Sequence, residues 1–364
     1  MFLFVGGQEK PNGISSYVNN IGRQLVLQGH SVTVIQFGVS DKNFIQDGMV
    51  MLQRKAPRNT MLAIPYIFLC SIPFIVKKRK EIEIVNFQTT FLAFFAGWIC
   101  RFYGVKVCYT QHSFGDHNPK HGRFSRYVMK CISNISVFCC GRNYITISKS
   151  KAAEFKERNG RDCHIIPCGV NRPMPFVNTD ILKRNDIIPN RYFLVICRID
   201  PIKNLDILIK AFLSHDNKGY QLVIGGDFNN AYGYSLNKLV GNNQDVKFVG
   251  SVSGNDKETL LRNCYTNCLV SSSEGMPISL MEGMAYAKPC IVSNIPAIRE
   301  IVKEDQGCWC NVKDETSLSM QFVYAENNTD ELKKKGLAMQ YSVFSQYTWD
   351  TIALNYVELC KRLK

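Results

Sequence analysis

Residues 192–204 read Tyr192-Phe193-Leu194-Val195-Ile196-Cys197-Arg198-Ile199-Asp200-Pro201-Ile202-Lys203-Asn204, and apolar residues then return at helical spacing through Leu213. Six apolar or aromatic residues in a row, 192–197, predict a strand buried on both faces, as in a parallel sheet. A short polar loop separates it from a helix at 204–213, and that is half of a strand–helix crossover unit. The same pattern runs outward in both directions. Candidate strands lie at 220–224, 246–249, 268–270 and 289–292 on one side, and at 1–5, 31–37, 82–87, 106–111, 144–147 and 163–167 on the other. Segments 15–28, 256–263 and 279–287 have helical spacing, while 167–189 is irregular and rich in Pro and Asn. Alternation of this kind predicts an α/β chain of two doubly wound parallel sheets facing a central cleft. The pattern restarts after residue 190, so the expected domains are 1–172 and 173–346. A last helix at 347–364, beginning Tyr347-Thr348-Trp349, is expected to cross back onto the first.

The 364 residues are 46% hydrophobic and 20% charged, which excludes a disordered tail, a collagen-like fibre and a small disulfide scaffold. Fifteen Cys, an odd number scattered through the chain, read as reduced thiols in the cytoplasm. The net charge of +14 is uneven: residues 1–175 hold 23 Lys and Arg against 9 Asp and Glu, and residues 176–364 hold 21 of each. A basic first domain suits anionic lipid, phosphate or nucleic acid, or simply solubility. Met1-Phe2-Leu3-Phe4-Val5 is too short for a signal-peptide core and has no basic residues before it, so no targeting signal is expected. The apolar run 61–76 has 16 residues, is interrupted by Pro65 and Pro73, and ends in Lys77-Lys78-Arg79-Lys80. It falls short of the ~20 residues that a span requires and reads as a buried or surface-dipping helix.

Ligands of open α/β sheets sit beyond the carboxyl ends of the strands. Three loops there carry polar or glycine residues. Lys10-Pro11-Asn12-Gly13-Ile14-Ser15 joins the first strand to the first helix, where glycine lets a ligand approach backbone and the helix start favours an anion; it also reads as a plain turn capped by Ser15. Arg198 and Lys203 can converge on one anionic group, or stand apart as solvated charges. The third loop is the most informative: Ser271-Ser272-Ser273-Glu274-Gly275-Met276-Pro277-Ile278-Ser279-Leu280-Met281-Glu282-Gly283-Met284-Ala285. Glu274 lies in the loop and Glu282 on the following helix, with free N–H groups expected at Ile278 and Ser279. Two carboxylates for hydroxyls and a backbone anion site between them match a nucleotide sugar.

These residues resemble the retaining, GT-B-fold glycosyltransferases of the glycogen-synthase-like "group 1" superfamily, of the bacterial surface-polysaccharide type. Further blocks carry the resemblance: Asn12-Gly13-Ile14-Ser15, Gly29-His30-Ser31-Val32, Ile166-Pro167-Cys168-Gly169-Val170-Asn171, and Gly250 ahead of the glutamates. The resemblance implies that Glu282 holds the donor ribose and Glu274 contacts hydroxyls of the transferred sugar. Arg198, Lys203 and the N–H groups of Ile278 and Ser279 would neutralise the departing diphosphate. Gly13 would let the first loop close on that diphosphate, His112 would sit near the donor sugar, and residues around Val252 would line the base pocket. The chain departs from the family pattern at Asn12, where a second Gly is usual, at Asn86-Phe87-Gln88, and at Ser113 after His112, where Asp116 is a candidate substitute.

The implied activity is transfer of a hexose from a nucleotide diphosphate donor, a UDP-sugar, to a growing glycan, a lipid-linked precursor of a cell-surface polysaccharide. No Asp-x-Asp occurs in the chain, so no metal or other cofactor is expected. His112, His117 and His121, with Cys108 and Cys131, lie close in sequence but read as a polar loop entering a helix rather than a metal site. Cys308-Trp309-Cys310 reads as an edge strand or turn. The basic charges are dispersed and lack a base-stacking aromatic motif, against a nucleic-acid partner. An anionic membrane surface met by 61–76 and 91–102 fits better, with the enzyme peripheral on the inner face of the plasma membrane. Three alternatives remain open: the same chemistry on a soluble acceptor, a GDP- or ADP-sugar donor, and a non-enzymatic nucleotide- or nucleic-acid-binding protein.

Overall fold

The computed structural model describes residues 1–9, 13–55, 57, 60–88, 90–112, 127–128, 131, 134–135, 137, 143–173, 175 and 179–363. The chain divides into two compact units, Met1–Gly169 with Trp349–Lys364, and Val170–Thr348. Among the described residues the first holds eight strands: β1 (Phe2–Gln8), β2 (Val32–Gly38), β3 (Lys42–Gln46), β4 (Met49–Lys55), β5 (Ile84–Phe87), β6 (Val107–Gln111), β7 (Tyr144–Thr146) and β8 (His164–Ile165), in the order β3-β4-β2-β1-β5-β6-β7-β8. Pairings are parallel except β3 with β4. That hairpin was not expected from the sequence. It turns at Asp47-Gly48, with φ of 49° and 77°, the paired left-handed conformation that a two-residue hairpin loop requires. Helices α1 (Gly13–Leu27), α2 (Thr60–Lys78), α3 (Thr90–Phe102) and α4 (Lys149–Asn159) follow strands of this sheet. Leu3, Val5, Phe87, Tyr109, Tyr144 and Phe155 fill its core, as the two-sided apolar runs demand.

The second unit is a six-stranded parallel sheet of β9 (Tyr192–Ile196), β10 (Gln221–Gly225), β11 (Val246–Gly250), β12 (Thr266–Leu269), β13 (Cys290–Ser293) and β14 (Cys308–Cys310), ordered β11-β10-β9-β12-β13-β14. The helices are α5 (Ile181–Arg184), α6 (Leu205–Leu213), α7 (Ala231–Val240), α8 (Gly254–Asn263), α9 (Ile278–Ala285), α10 (Pro296–Arg299), α11 (Glu315–Asn327) and α12 (Thr329–Gln346). The short helix α5 interrupts the stretch that reads as irregular in sequence. Phe193 meets Phe322 edge to face at 4.7 Å in the centre of the core, beside Phe212. Truncating such a side chain to Ala costs about 3–5 kcal/mol.

The last helix, α13 (Trp349–Arg362), belongs to the first unit and packs on α1. Tyr356 stacks on Phe4 of β1 at 5.8 Å, and Trp349 meets Tyr17 of α1 edge to face at 5.9 Å. Gly169 lies under the Trp349 ring, where a Cβ would stand 2.6 Å from it, so only glycine fits. Every described cysteine is a free thiol, and Cys139-Cys140 lies outside the described residues. No helix among the described residues is long and apolar enough to cross a membrane.

Candidate active site

The loop after β9 is built by two side chains, one aspartate and one asparagine. Asp200 Oδ1 accepts from the Ile202 N–H at 3.2 Å and opens a single 3-10 turn, Pro201–Lys203. Asn204 ends that turn at φ 50°, a conformation asparagine tolerates better than most residues. Its amide then donates to the Val270 carbonyl at 2.8 Å and to Ser272 Oγ at 2.9 Å, while the Ser272 N–H donates to the Ile202 carbonyl at 2.8 Å. The loop after β9 is thereby clasped to the loop after β12.

The clasp brings Lys203 to Glu274. Lys203 Nζ lies 2.5 Å from Glu274 Oε1, and Ser271 Oγ donates to the same oxygen at 2.6 Å. Only 15% of the lysine side chain and 11% of the glutamate are exposed, so these are charge-assisted hydrogen bonds partly shielded from water. Arg198 differs: its side chain is 78% exposed and its Nε stands 3.7 Å from Asp200 Oδ2. Arg198 and Lys203 therefore leave the same loop but share no contact partner, one held on Glu274 and one extended into solvent. Cys197 ends β9's apolar run just ahead of them. Burial pushes its thiol up to about 12, with the charges of Lys203, Glu274, Arg198 and Asp200 acting on it in smaller, opposed contributions.

Helix α9 carries the second glutamate. Gly283 sits directly on Asn267 of β12, where a Cβ would come within 2.2 Å of the amide nitrogen, and Asn267 donates to the Ser279 carbonyl at 3.2 Å. This close approach fixes the rotation of the helix and hence the direction of Glu282. Glu282 Oε1 is 2.7 Å from Lys257 Nζ of α8, a partner that sequence reading did not find. At the helix start Pro277 makes no side-chain cap. The Ile278 N–H, expected from the sequence to be free, is not: a tight turn directs it to the Met276 carbonyl at 3.1 Å. The Ser279 N–H has no hydrogen-bond partner among the described residues.

Gly225-Gly226 at the end of β10 also escaped the sequence reading, although a glycine pair at a strand end is a usable signal. A Cβ at Gly226 would lie 2.5 Å from the Cys197 carbonyl oxygen, so the two strand ends touch through backbone. Val252, in the loop after β11, is partly buried and packs against the apolar cluster that includes Leu194 and Val223.

In the first unit Gly13 opens α1, exposed and with open space where a side chain would be. Asn12, Asp116, His117 and His121 lie outside the described residues. His112 follows β6 and heads a buried polar chain. Its Nε2 is 2.7 Å from Gln88 Oε1; Gln88 Nε2 donates to Asn86 Oδ1 at 2.8 Å; Thr110 donates to the same oxygen at 3.0 Å; and Asn86 Nδ2 donates to the Tyr356 hydroxyl of α13 at 2.8 Å. With Gln88 donating to Asn86, its own oxygen is left as an acceptor, so the His112 proton belongs on Nε2 and Nδ1 is bare. Burial pushes the imidazole down to about 4, keeping it neutral at physiological pH.

Two parallel-sheet α/β units with polar loops at the strand ends define the GT-B class of fold. Solved structures agree along the whole chain. Sucrose-phosphate synthase from Thermosynechococcus elongatus superposes at a TM-score of 0.85 with 15% identity, covering 99% of this chain and 98% of that one. Anabaena HepE in complex with UDP and glucose gives 0.79 with 16% identity over 100% of both. Residues 179–337 match the family model "Glycosyl transferases group 1", and residues 11–172 match "Glycosyltransferase Family 4". An uncharacterized glycosyltransferase of Methanocaldococcus jannaschii is 23% identical across 96% of this chain and 94% of its own length. Each unit is thus similar to a glycosyltransferase family model, and the fold of the chain is that of the GT-B superfamily.

Proposed function

We propose that the chain transfers a hexose from a UDP-sugar to a growing glycan, a lipid-linked precursor of a cell-surface polysaccharide, with retention at the anomeric carbon and without a divalent metal. The observation that carries this reading is the Lys203–Glu274 contact, clamped by Asn204 at the mouth of two strand-end loops. A cation and a carboxylate held side by side suit a substrate with a diphosphate next to a polyol. Lys203 and Arg198 would neutralise the leaving group, with the Ser279 N–H adding a fixed dipole. Glu274 would accept from the sugar hydroxyls, oriented by Ser271, and Glu282 from the ribose hydroxyls, oriented by Lys257. Val252 would wall the base. Gly13 would admit the first loop to the diphosphate, and His112 would offer its bare Nδ1 to a donor-sugar hydroxyl. In transfer the acceptor oxygen bonds to the anomeric carbon on the face from which the diphosphate leaves; the acceptor proton goes to a phosphate oxygen, and UDP departs. The cationic side chains take the place of a metal. The cation surplus of residues 1–175 supports work at an anionic membrane surface on the cytoplasmic side. HepE, solved with UDP-glucose, supports the choice of donor.

A screen of UDP-, GDP- and ADP-sugars against lipid-linked and soluble glycan acceptors, read by mass spectrometry, tests it. The expected result is a UDP-sugar consumed with mass gain on a lipid-linked acceptor, unchanged by EDTA and with the donor's anomeric configuration in the product. Consumption of another nucleotide sugar alone, or an inverted product, contradicts it.

A further inference from the structure

Helix α2 packs against α3, and between them opens a groove of about 670 Å³. Ile72, Val76 and Ile99 form apolar walls, and Trp98, Arg101 and Phe102 stand at the rim. Trp98 is 60% exposed and Phe102 84%, with Leu69 on α2 exposed as well. Single exposed apolar residues are ordinary, but aromatic side chains gathered round an apolar groove mark an interaction site. The border is cationic: Lys77, Arg79, Lys80 and Arg101 are exposed, and the Arg79 guanidinium lies 5.9 Å from the centre of the Tyr103 ring at the groove. Nearby acids are few; Glu81 is bonded to Lys78 at 2.8 Å, and Glu83 is exposed.

We infer that this groove docks on the anionic phospholipids of a bilayer, with Trp98 and Phe102 entering the headgroup–acyl boundary and Arg79, Lys80 and Arg101 pairing with lipid phosphates. The inference deepens the proposed action on a lipid-linked acceptor and rests on that reading for its purpose. Tryptophan is suited to the interface because it has an apolar body and one N–H donor. The surrounding cations select anionic lipid, and they oppose a second copy of this chain, whose equally cationic rim would face them.

Cosedimentation with vesicles of phosphatidylglycerol and phosphatidylcholine, compared with phosphatidylcholine alone, tests it on the full chain. The parent is expected to bind only the anionic vesicles and to release them at high salt. The Trp98→Ala/Phe102→Ala variant is expected to bind about tenfold more weakly, and Arg79→Ala and Arg101→Ala about fivefold more weakly each. Because these side chains are exposed, the variants should melt with the parent; Trp98→Phe, which keeps an apolar ring, should recover most of the binding. Equal binding of the double variant overturns the inference, as does equal binding to neutral vesicles. So does a dimer in sedimentation equilibrium that the double variant converts to monomer. No donor or acceptor is present in this assay, so its failure leaves sugar transfer standing, and a failed donor screen leaves vesicle binding standing.

Discussion

Polar side chains beyond the strand ends are arranged in opposite ways in the two units. In the second they are ionic and partly open to water: Lys203 with Glu274, Lys257 with Glu282, and Arg198 in solvent. In the first they are neutral and enclosed: His112, Gln88, Asn86 and Tyr356 in one hydrogen-bonded line, with Asn86 and Tyr356 fully buried. Lys203 can exchange part of its carboxylate contact for an incoming anion, because one charged acceptor replaces another. A buried amide chain has no such exchange open to it, since every broken bond leaves an unsatisfied group. Under the proposed function, one unit would grip a charge that appears and leaves, and the other would hold an imidazole in one tautomer.

The contrast can be broken most sharply at the ionic end. Lys203→Ala should lower sugar transfer by about 10²–10³-fold in steady-state assays, the usual loss for one transition-state charge partner. Removing both charges, as Lys203→Met/Glu274→Met, should restore stability without restoring transfer, because no unpaired charge is left behind. Next in size, Asn204→Ala should cost about 2–3 kcal/mol in urea unfolding, since it removes two hydrogen bonds and leaves the buried Val270 carbonyl unpaired.

At the neutral end, acid should act through His112. Its imidazole takes a proton near 6.5 when unfolded and only near 4 when folded. The unfolded chain therefore binds more protons in that window, and stability falls as pH drops through it. His112→Phe should flatten this slope in melts between those two pH values. Smallest of all, Tyr356→Phe should cost about 1 kcal/mol, because Asn86 Nδ2 loses its acceptor. It should also shift the His112 ring signals in NMR, which loss of packing elsewhere would not.

The fold was legible where apolar runs and helical spacing alternate without competition. Strand β9 and its loop are the clearest case, since Tyr192 to Ile196 form a short apolar run rich in β-branched and aromatic residues, bounded by a polar loop. The hairpin β3–β4 was missed because Lys42–Gln46 is an edge strand, mostly exposed, with too few apolar residues to stand out. Asp47-Gly48 was the available signal. At the candidate site, Glu274, Arg198 and Lys203 were visible as residue types in strand-end loops and Glu282 on the helix that follows, with the resemblance supplying their roles. Their partners were not visible. Lys257 reaches Glu282 from another strand–helix unit, and Asn204 acts through a left-handed backbone; neither leaves a mark in local composition. The Ile278 N–H illustrates the same limit, because whether a helix start is free depends on the turn before it.

Titration calorimetry of UDP into the parent, Lys203→Ala and Glu282→Ala bears most directly on a donor pocket formed by these loops. The parent should bind with a measurable enthalpy, and each variant should weaken binding by at least about tenfold, the loss of one charge-assisted contact. Equal affinity in all three proteins would contradict the account.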